Sequence, residues 1–217
     1  KGKKNIFLIK NKKNYGLTAT TGTASVLIGG QTINSFLGMG IGNDKISNNI
    51  MCIWMDVHMP LKKSNIGIIN KEILIYGLSI INVYTGESYI FQHETICNMI
   101  PSTFDELQRY ISIFEPNEII LITPFEQNEL NKIIQYSEIH TQTIHYISTK
   151  KLVNDEIVNC TNQKYIKTII GKYFGEDYYD INEDFSNYDV AVQSYVYLLH
   201  FIEKHSINLL KKISLPI

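Results

Sequence analysis

One apolar stretch, residues 73–91, constrains the fold of this chain more than any other. From Ile73 to Val83 most side chains are β-branched, aromatic or aliphatic, and this composition favours a strand that is covered on both faces. Gly86 follows at a turn position that tolerates a positive φ, and Ser88–Phe91 returns as a partner strand. The stretch therefore predicts an antiparallel hairpin at the centre of a sheet.

Strand and helix patterns alternate around this hairpin. Strands are predicted before and after it, over Ile50–Val57, Glu118–Thr123 and Thr143–Ile147. Amphipathic or apolar periodicity predicts helices that begin near Thr103 and that cover Glu126–Ser137, Tyr165–Phe174 and Tyr188–Lys204. This order predicts an α/β domain of three layers with a mixed sheet.

Local signals refine the helix ends. Thr103 is predicted to cap the first helix, with Glu106 completing a capping box. Gly175 is predicted to stop the third helix, and Glu176–Asp184 is predicted to be an acidic loop.

The charge argues against a generic basic nucleic-acid-binding protein, and the cysteine spacing argues against a disulfide framework. The net charge is −1 and the pI is near 6.7, so any contact with nucleic acid must come from a local basic patch. No apolar run is long enough to span a membrane. Cys52, Cys97 and Cys160 form no CxxC pair, and this spacing predicts free thiols in a reducing, intracellular compartment such as the cytoplasm, the nucleus or a viral factory.

Residues 17–42 read LTATTGTASVLIGGQTINSFLGMGIG. This segment resembles the motif that follows the nucleotide-binding helix in Pif-type superfamily-one DNA helicases. The resemblance implies that Thr21, Gly22 and Thr23 contact the backbone of single-stranded DNA. Asn34 stands where that family usually has histidine.

The phosphate-binding loop expected upstream of such a motif is incomplete. Gly2-Lys3-Lys4 lies near its position, but Lys4 replaces the magnesium-binding serine or threonine and the glycine-rich part is absent. We therefore interpret residues 1–45 as a helicase-like N-terminal segment, a Gly/Thr-rich appendage that does not encode a working motor.

The remainder of the chain, residues 48–217, resembles the connector domain of MutS-family DNA mismatch repair proteins. Four stretches carry the resemblance: GLSIINVYTGES (77–88), FDELQRYISIFEPNEIILI (104–122), YDVAVQSYVYLLHFIEKH (188–205) and SLPI (214–217). It implies an RNase H-like fold, with a mixed sheet flanked by helices. It also implies a non-catalytic module that couples DNA-binding and ATPase domains of a parent protein and docks a MutL-like partner.

The same resemblance implies DNA, the other parent domains and a MutL-like protein as partners. It places ATP and Mg²⁺ in the parent protein and no cofactor in this chain. Lys62 and Lys63 are further candidates for contact with DNA phosphates, although paired lysines are usually solvated.

An RNase H-like fold raises the alternative of a nuclease, which needs a carboxylate on the central first strand to bind Mg²⁺. The position that the sequence suggests is Asn82, a neutral amide, so we expect no enzymatic activity. Two further alternatives remain open: a fragment of a Pif-type ATP-dependent helicase with an accessory α/β domain, and an α/β interaction domain of another kind.

Overall fold

A computed structural model describes residues 6–11, 14–19, 31–32, 48–59, 71–141, 143–150, 155–181, 183–205 and 207–216. The chain forms two compact units, residues 1–46 and 47–217.

The first unit contains a small sheet. β1 (Ile6–Asn11) pairs antiparallel with β2 (Asn14–Ala19), which pairs parallel with β3 (Gln31–Thr32). The apolar run at residues 6–9 is thus part of a strand.

The second unit is built on a mixed five-stranded sheet with the order β6-β5-β4-β7-β8. Its strands are β4 (Asn49–His58), β5 (Ile73–Asn82), β6 (Ser88–Ile96), β7 (Glu118–Thr123) and β8 (Thr143–Ser148). The first three are antiparallel, and β7 and β8 continue the sheet parallel to β4. With helices on both faces, this is the RNase H-like α/β fold expected from the resemblance.

The predicted hairpin is confirmed, with one correction to its place. β5 and β6 pair antiparallel, and Gly86 in the turn has a φ of 79°. β5 is an interior strand, but β6 forms one edge of the sheet and the middle strand is β4. The prediction missed this because β7 and β8 both add on the far side of β4, which a local pattern does not reveal.

Eight described helices accompany the sheet: α1 (Asp105–Phe114), α2 (Gln127–Tyr136), α3 (Asp155–Cys160), α4 (Gln163–Phe174), α5 (Tyr178–Ile181), α6 (Glu183–Asn187), α7 (Asp189–His205) and α8 (Ile207–Leu210). A short 3₁₀ turn, Pro101–Phe104, precedes α1. The long predicted helices correspond to α1, α2, α4 and α7.

The central strand supplies both cores. Met51, Ile53 and Met55 face the helices α1 and α2, where they pack with residues such as Leu107 and Ile133. Cys52 and Trp54 face the opposite layer, which is built from α3, α4 and α7. Alternate side chains of one strand thus enter two separate cores, as a strand covered on both faces requires.

Two local predictions were wrong. Thr103 does not cap α1: it is buried in the 3₁₀ turn that Pro101 begins, and Phe104 holds the cap position without a side-chain hydrogen bond. The acidic segment after Gly175 is not only a loop, because it contains α5 and begins α6. Tyr179 and Phe185 are buried in the α7-side core and hold these short helices in place.

Candidate coupling site at the hairpin turn

The β5–β6 turn is held by the side chain of Asn82. Its Oδ1 accepts hydrogen bonds from the backbone N–H groups of Tyr84 and Thr85, each at 3.0 Å. Its Nδ2 donates to Asn49 Oδ1 at 2.9 Å, and Asn49 Nδ2 donates to the carbonyl of Phe114 at 2.6 Å. Through two amides the turn is thus joined to the start of β4 and to the end of α1.

The other side of the turn contacts the segment that follows α8. The Gly86 carbonyl accepts from Ser214 N at 2.8 Å and from Ser214 Oγ at 3.2 Å. Gly86 is buried, and a Cβ at this position would lie 2.0 Å from the carbonyl oxygen of Lys212. Only glycine allows both the positive φ and this close approach.

A buried chain of hydroxyl groups connects α7 to the same place. Ser88 Oγ donates to the Ser214 carbonyl at 2.8 Å and lies 3.1 Å from the hydroxyl of Tyr195. Because the single hydroxyl hydrogen of Ser88 is committed to Ser214, Tyr195 is the donor in the second bond. Burial raises the pKa of Tyr195, so the phenol stays protonated and able to donate.

We call this arrangement of Asn82, Gly86, Ser88, Tyr195 and Ser214 the turn junction. It links the end of α1, the hairpin, α7 and the segment after α8 through directional hydrogen bonds. These hydrogen bonds make the junction a structural connection between the four segments.

The first turn of α7 is held against the sheet by two residues of the hairpin. Gln92 Oε1, on β6, accepts from Val190 N at 3.0 Å and from Ala191 N at 3.2 Å, which satisfies two N–H groups that a helix start leaves open. A Cβ added at Gly77 on β5 would lie 2.3 Å from Ala191 N and from the carbonyl carbon of Val190. The helix backbone therefore rests directly on the strand backbone.

The position suggested for a nuclease carboxylate is corrected by the structure. Asn82 lies on β5 and not on the central strand β4. On β4, residues 51–55 are apolar and buried, and the carboxylate of Asp56 is exposed and accepts from Val57 N at 2.8 Å. Among the described residues no group of three His, Cys, Asp or Glu side chains is placed to hold a metal ion.

Some lysines on the helices of the second unit are paired with carboxylates. Lys172 Nζ lies 2.6 Å from Glu203 Oε1, and Lys204 forms an ion pair with Glu156. The hydrogen bond from Lys172 lowers the pKa of Glu203. Each of these pairs neutralises the lysine that takes part in it.

The residues predicted to contact DNA, Thr21, Gly22, Thr23, Lys62 and Lys63, lie outside the described residues. Sequence reasoning also missed Ser88, Tyr195 and Ser214 as members of one site. The available signal was weak: a serine at the start of a strand and one of two tyrosines in a largely apolar helix. Their convergence depends on how the helix and the hairpin pack, which no local pattern encodes.

Comparisons with known proteins do not assign a family to this chain. No family model matches the chain, and no curated protein matches it. In the described part, none of the helices has the length and apolar character needed to cross a membrane. Among solved structures, the chain is similar to the fowlpox virus Holliday junction resolvase, with 9% identity and a TM-score of 0.38 over 71% of this chain and 99% of the resolvase chain.

Proposed function

We propose that residues 47–217 are a non-catalytic connector module of a MutS-like DNA mismatch repair protein. In this role the module transmits movement between DNA-binding and ATPase domains of the parent protein and docks a MutL-like partner. The turn junction carries the proposal, because it joins the stretches on which the resemblance rests.

Each of those stretches forms an element that is joined, directly or through a neighbouring residue, at the turn junction. GLSIINVYTGES forms β5 and its turn, and FDELQRYISIFEPNEIILI forms α1 and β7. YDVAVQSYVYLLHFIEKH forms α7, and Ser214 of SLPI is hydrogen-bonded to Gly86. A displacement at the segment after α8 would therefore be passed to the hairpin and to α7 through short hydrogen bonds, which is the mechanical property that a connector needs.

The chemistry of the described residues supports a non-catalytic role. Asn82 uses both the donor and the acceptor of its amide to hold the turn, so it is occupied by structural hydrogen bonds. The central strand directs apolar side chains into both cores.

The test is a binding experiment with the full chain. The purified protein is titrated with a MutL-like protein from the same source and with duplex, mismatched and single-stranded DNA, each with and without ATP. We expect saturable binding of the MutL-like protein, no preference for mismatched over matched duplex, and no effect of ATP.

Two results would overturn the proposal. Failure of the folded chain to bind the MutL-like protein would remove the docking role. ATP-dependent binding of single-stranded DNA would show that the N-terminal segment belongs to an active motor, and would favour the helicase fragment instead. A variant with Thr21, Gly22 and Thr23 replaced by alanine serves as the matched control, because it should retain binding of the MutL-like protein.

A further inference from the structure

β8 is an edge strand whose sequence lacks the usual protection against pairing. It lies at the end of the sheet, and no other strand of the described residues pairs with its outer side. Edge strands are commonly protected by Lys, Pro or inward charges, but TIHYIS contains none of them. The opposite edge strand, β6, carries an exposed glutamate, Glu94.

A cavity of about 420 Å³ opens along this edge. It lies between β8 and α7, and its lining residues are Ile120, Ile144, His145, Tyr146, Ile147, Tyr197 and Phe201. The volume falls within the range of sites that hold a small ligand or a large side chain. Toward α7, β8 presents His145 and Ile147, and these side chains together with Ile120, Tyr197 and Phe201 form an aliphatic and aromatic lining with one imidazole. Such a lining suits a flat apolar ring that carries a polar atom.

The hydrogen bonding of His145 defines that polar atom. Its Nε2 lies 2.6 Å from Glu118 Oε1, and since a carboxylate only accepts, Nε2 carries the hydrogen. In the neutral imidazole Nδ1 is then an acceptor, and it has no hydrogen-bond partner among the described residues. An occupant that donates a hydrogen bond complements this nitrogen and the nearby carboxylate, whereas an anionic occupant would be repelled.

We propose that β8 is a peptide-binding edge. An extended segment of a partner protein adds to its outer side by backbone hydrogen bonds and inserts a tryptophan side chain between β8 and α7. In strand addition, main-chain hydrogen bonds provide affinity and pockets for side chains provide specificity. Here the indole ring packs against Phe201, Ile120 and Ile147, and its N–H donates to Nδ1 of His145.

The test uses a capped pentapeptide, threonine-valine-tryptophan-valine-threonine, labelled with fluorescein and titrated with the full chain by fluorescence polarisation. We expect saturable binding. Methylating alternate backbone nitrogens of the peptide should weaken binding at least tenfold, because it removes donors needed for strand pairing. N-acetyltryptophan amide, which offers the ring without the strand, should compete at least tenfold more weakly than the unlabelled peptide.

The hydrogen bond to His145 is tested from both sides. On the native chain, replacing the peptide's tryptophan with naphthylalanine should weaken binding about 3- to 10-fold, the usual effect of losing one neutral hydrogen bond. The variant His145→Phe should bind the two peptides equally. His93→Phe, the matched histidine on the other edge strand, should keep the preference for tryptophan. The naphthylalanine comparison needs no protein variant, so it remains decisive if His145→Phe fails to fold.

Three results would overturn the proposal. The first is a lack of saturable binding of the pentapeptide to the native chain. N-acetyltryptophan amide could instead bind as tightly as the peptide, which would indicate a ring site without strand addition. Finally, His93→Phe could abolish the preference for tryptophan as His145→Phe does, which would place the site elsewhere.

Discussion

The side-chain amide of Asn82 both accepts and donates hydrogen bonds in the turn junction. Its oxygen accepts from two turn N–H groups, while its nitrogen donates to Asn49 Oδ1. An aspartate has nearly the same shape but, when ionised, cannot donate. The amide is therefore required for the link between the turn and β4, although the turn itself needs only an acceptor.

We predict that Asn82→Asp lowers the free energy of unfolding by about 1–3 kcal/mol at neutral pH, because a carboxylate would face the Asn49 oxygen without a proton between them. The loss should shrink as the pH falls through the pKa of the new aspartate, since the protonated acid can donate. Urea unfolding at several pH values measures this. The exposed Asn98→Asp is the control, and an equal loss in both variants would contradict the assigned role.

The three cysteines are free, as the sequence predicted, and they differ in environment. Cys52 and Cys160 are completely buried, and burial raises the pKa of both thiols, that of Cys160 to about 12. Cys97 is half-buried, and burial raises its pKa as well. The thiolate is the reactive form of cysteine, and a reagent must be able to reach it. Because Cys97 is partly exposed and the other two thiols are buried, we expect Cys97 to be the most reactive of the three.

We predict that iodoacetamide at pH 8 modifies Cys97 first and leaves Cys52 and Cys160 unmodified until the protein is unfolded. Peptide mass spectrometry over a time course identifies each site, with a sample in urea as the control for complete reaction. Modification of Cys52 or Cys160 at the rate of Cys97 would show that the α7-side core opens far more readily than its packing indicates.

The position of helix α7 depends on Gly77 in the strand beneath it, β5. At Gly77 the strand and helix backbones are so close that any Cβ would overlap Ala191 N and the Val190 carbonyl group. Backbone atoms cannot move aside as a flexible side chain can, so the helix as a whole must shift. Such overpacking typically costs about 1–3 kcal/mol and occasionally more.

We predict that Gly77→Ala destabilises the second unit by about 3 kcal/mol, at the upper end of the usual overpacking cost. Gly171→Ala, within α4, is the matched control: its nearest contact would be an ordinary 3.4 Å to the Cα of Glu176, and alanine favours the helix by about 1 kcal/mol. Thermal unfolding followed by circular dichroism should therefore order the proteins as Gly171→Ala, native, Gly77→Ala. A native-like midpoint for Gly77→Ala would contradict the close packing of α7.

The position of the segment after α8, residues 211–216, depends in the same way on Gly86 in the hairpin turn. We predict that Gly86→Ala releases residues 211–216 from the hairpin, because its Cβ would overlap the Lys212 carbonyl while the positive φ becomes strained. Trypsin should then cut at Lys211 and Lys212 at least tenfold faster than in the native chain. Gly175→Ala also has a positive φ but meets no atom within 4 Å. Equal cleavage in both variants would show that general destabilisation, and not the contact between Gly86 and Lys212, releases the segment.

The sequence predicts elements well where one periodicity dominates and poorly where distant contacts decide. The hairpin, β4, β7, β8, α1, α2, α4 and α7 follow from apolar patterns and turn residues. Three other features depend on packing against elements far along the chain. They are the position of β6 at the edge of the sheet, the burial of Thr103 and the short helices after Gly175. The turn junction is missed for the same reason, since Ser88 and Ser214 are 126 residues apart.

At the level of the whole molecule, the second unit has the features of an independent domain. The described members of both hydrophobic cores come from residues 50–213, so the cores use no described side chain of the first unit. Each core has its own helical layer, and β4 contributes to both. A destabilising substitution in β4 would therefore affect both cores. The loss of residues 1–46, in contrast, should remove none of these contacts.

We predict that a chain of residues 47–217 unfolds cooperatively with a midpoint within about 4 °C of the corresponding transition in the full chain, a difference of about 1 kcal/mol for a domain of this size. Circular dichroism and calorimetry of both proteins measure this. Trp54→Phe in both backgrounds is the matched comparison, because it perturbs the buried face of β4 and should lower both midpoints equally. A lower midpoint for the shorter chain alone would mean that the first unit contributes to the stability of the α/β unit. Equal midpoints would establish residues 47–217 as the part of the chain in which binding to β8 and to a MutL-like partner can be studied separately.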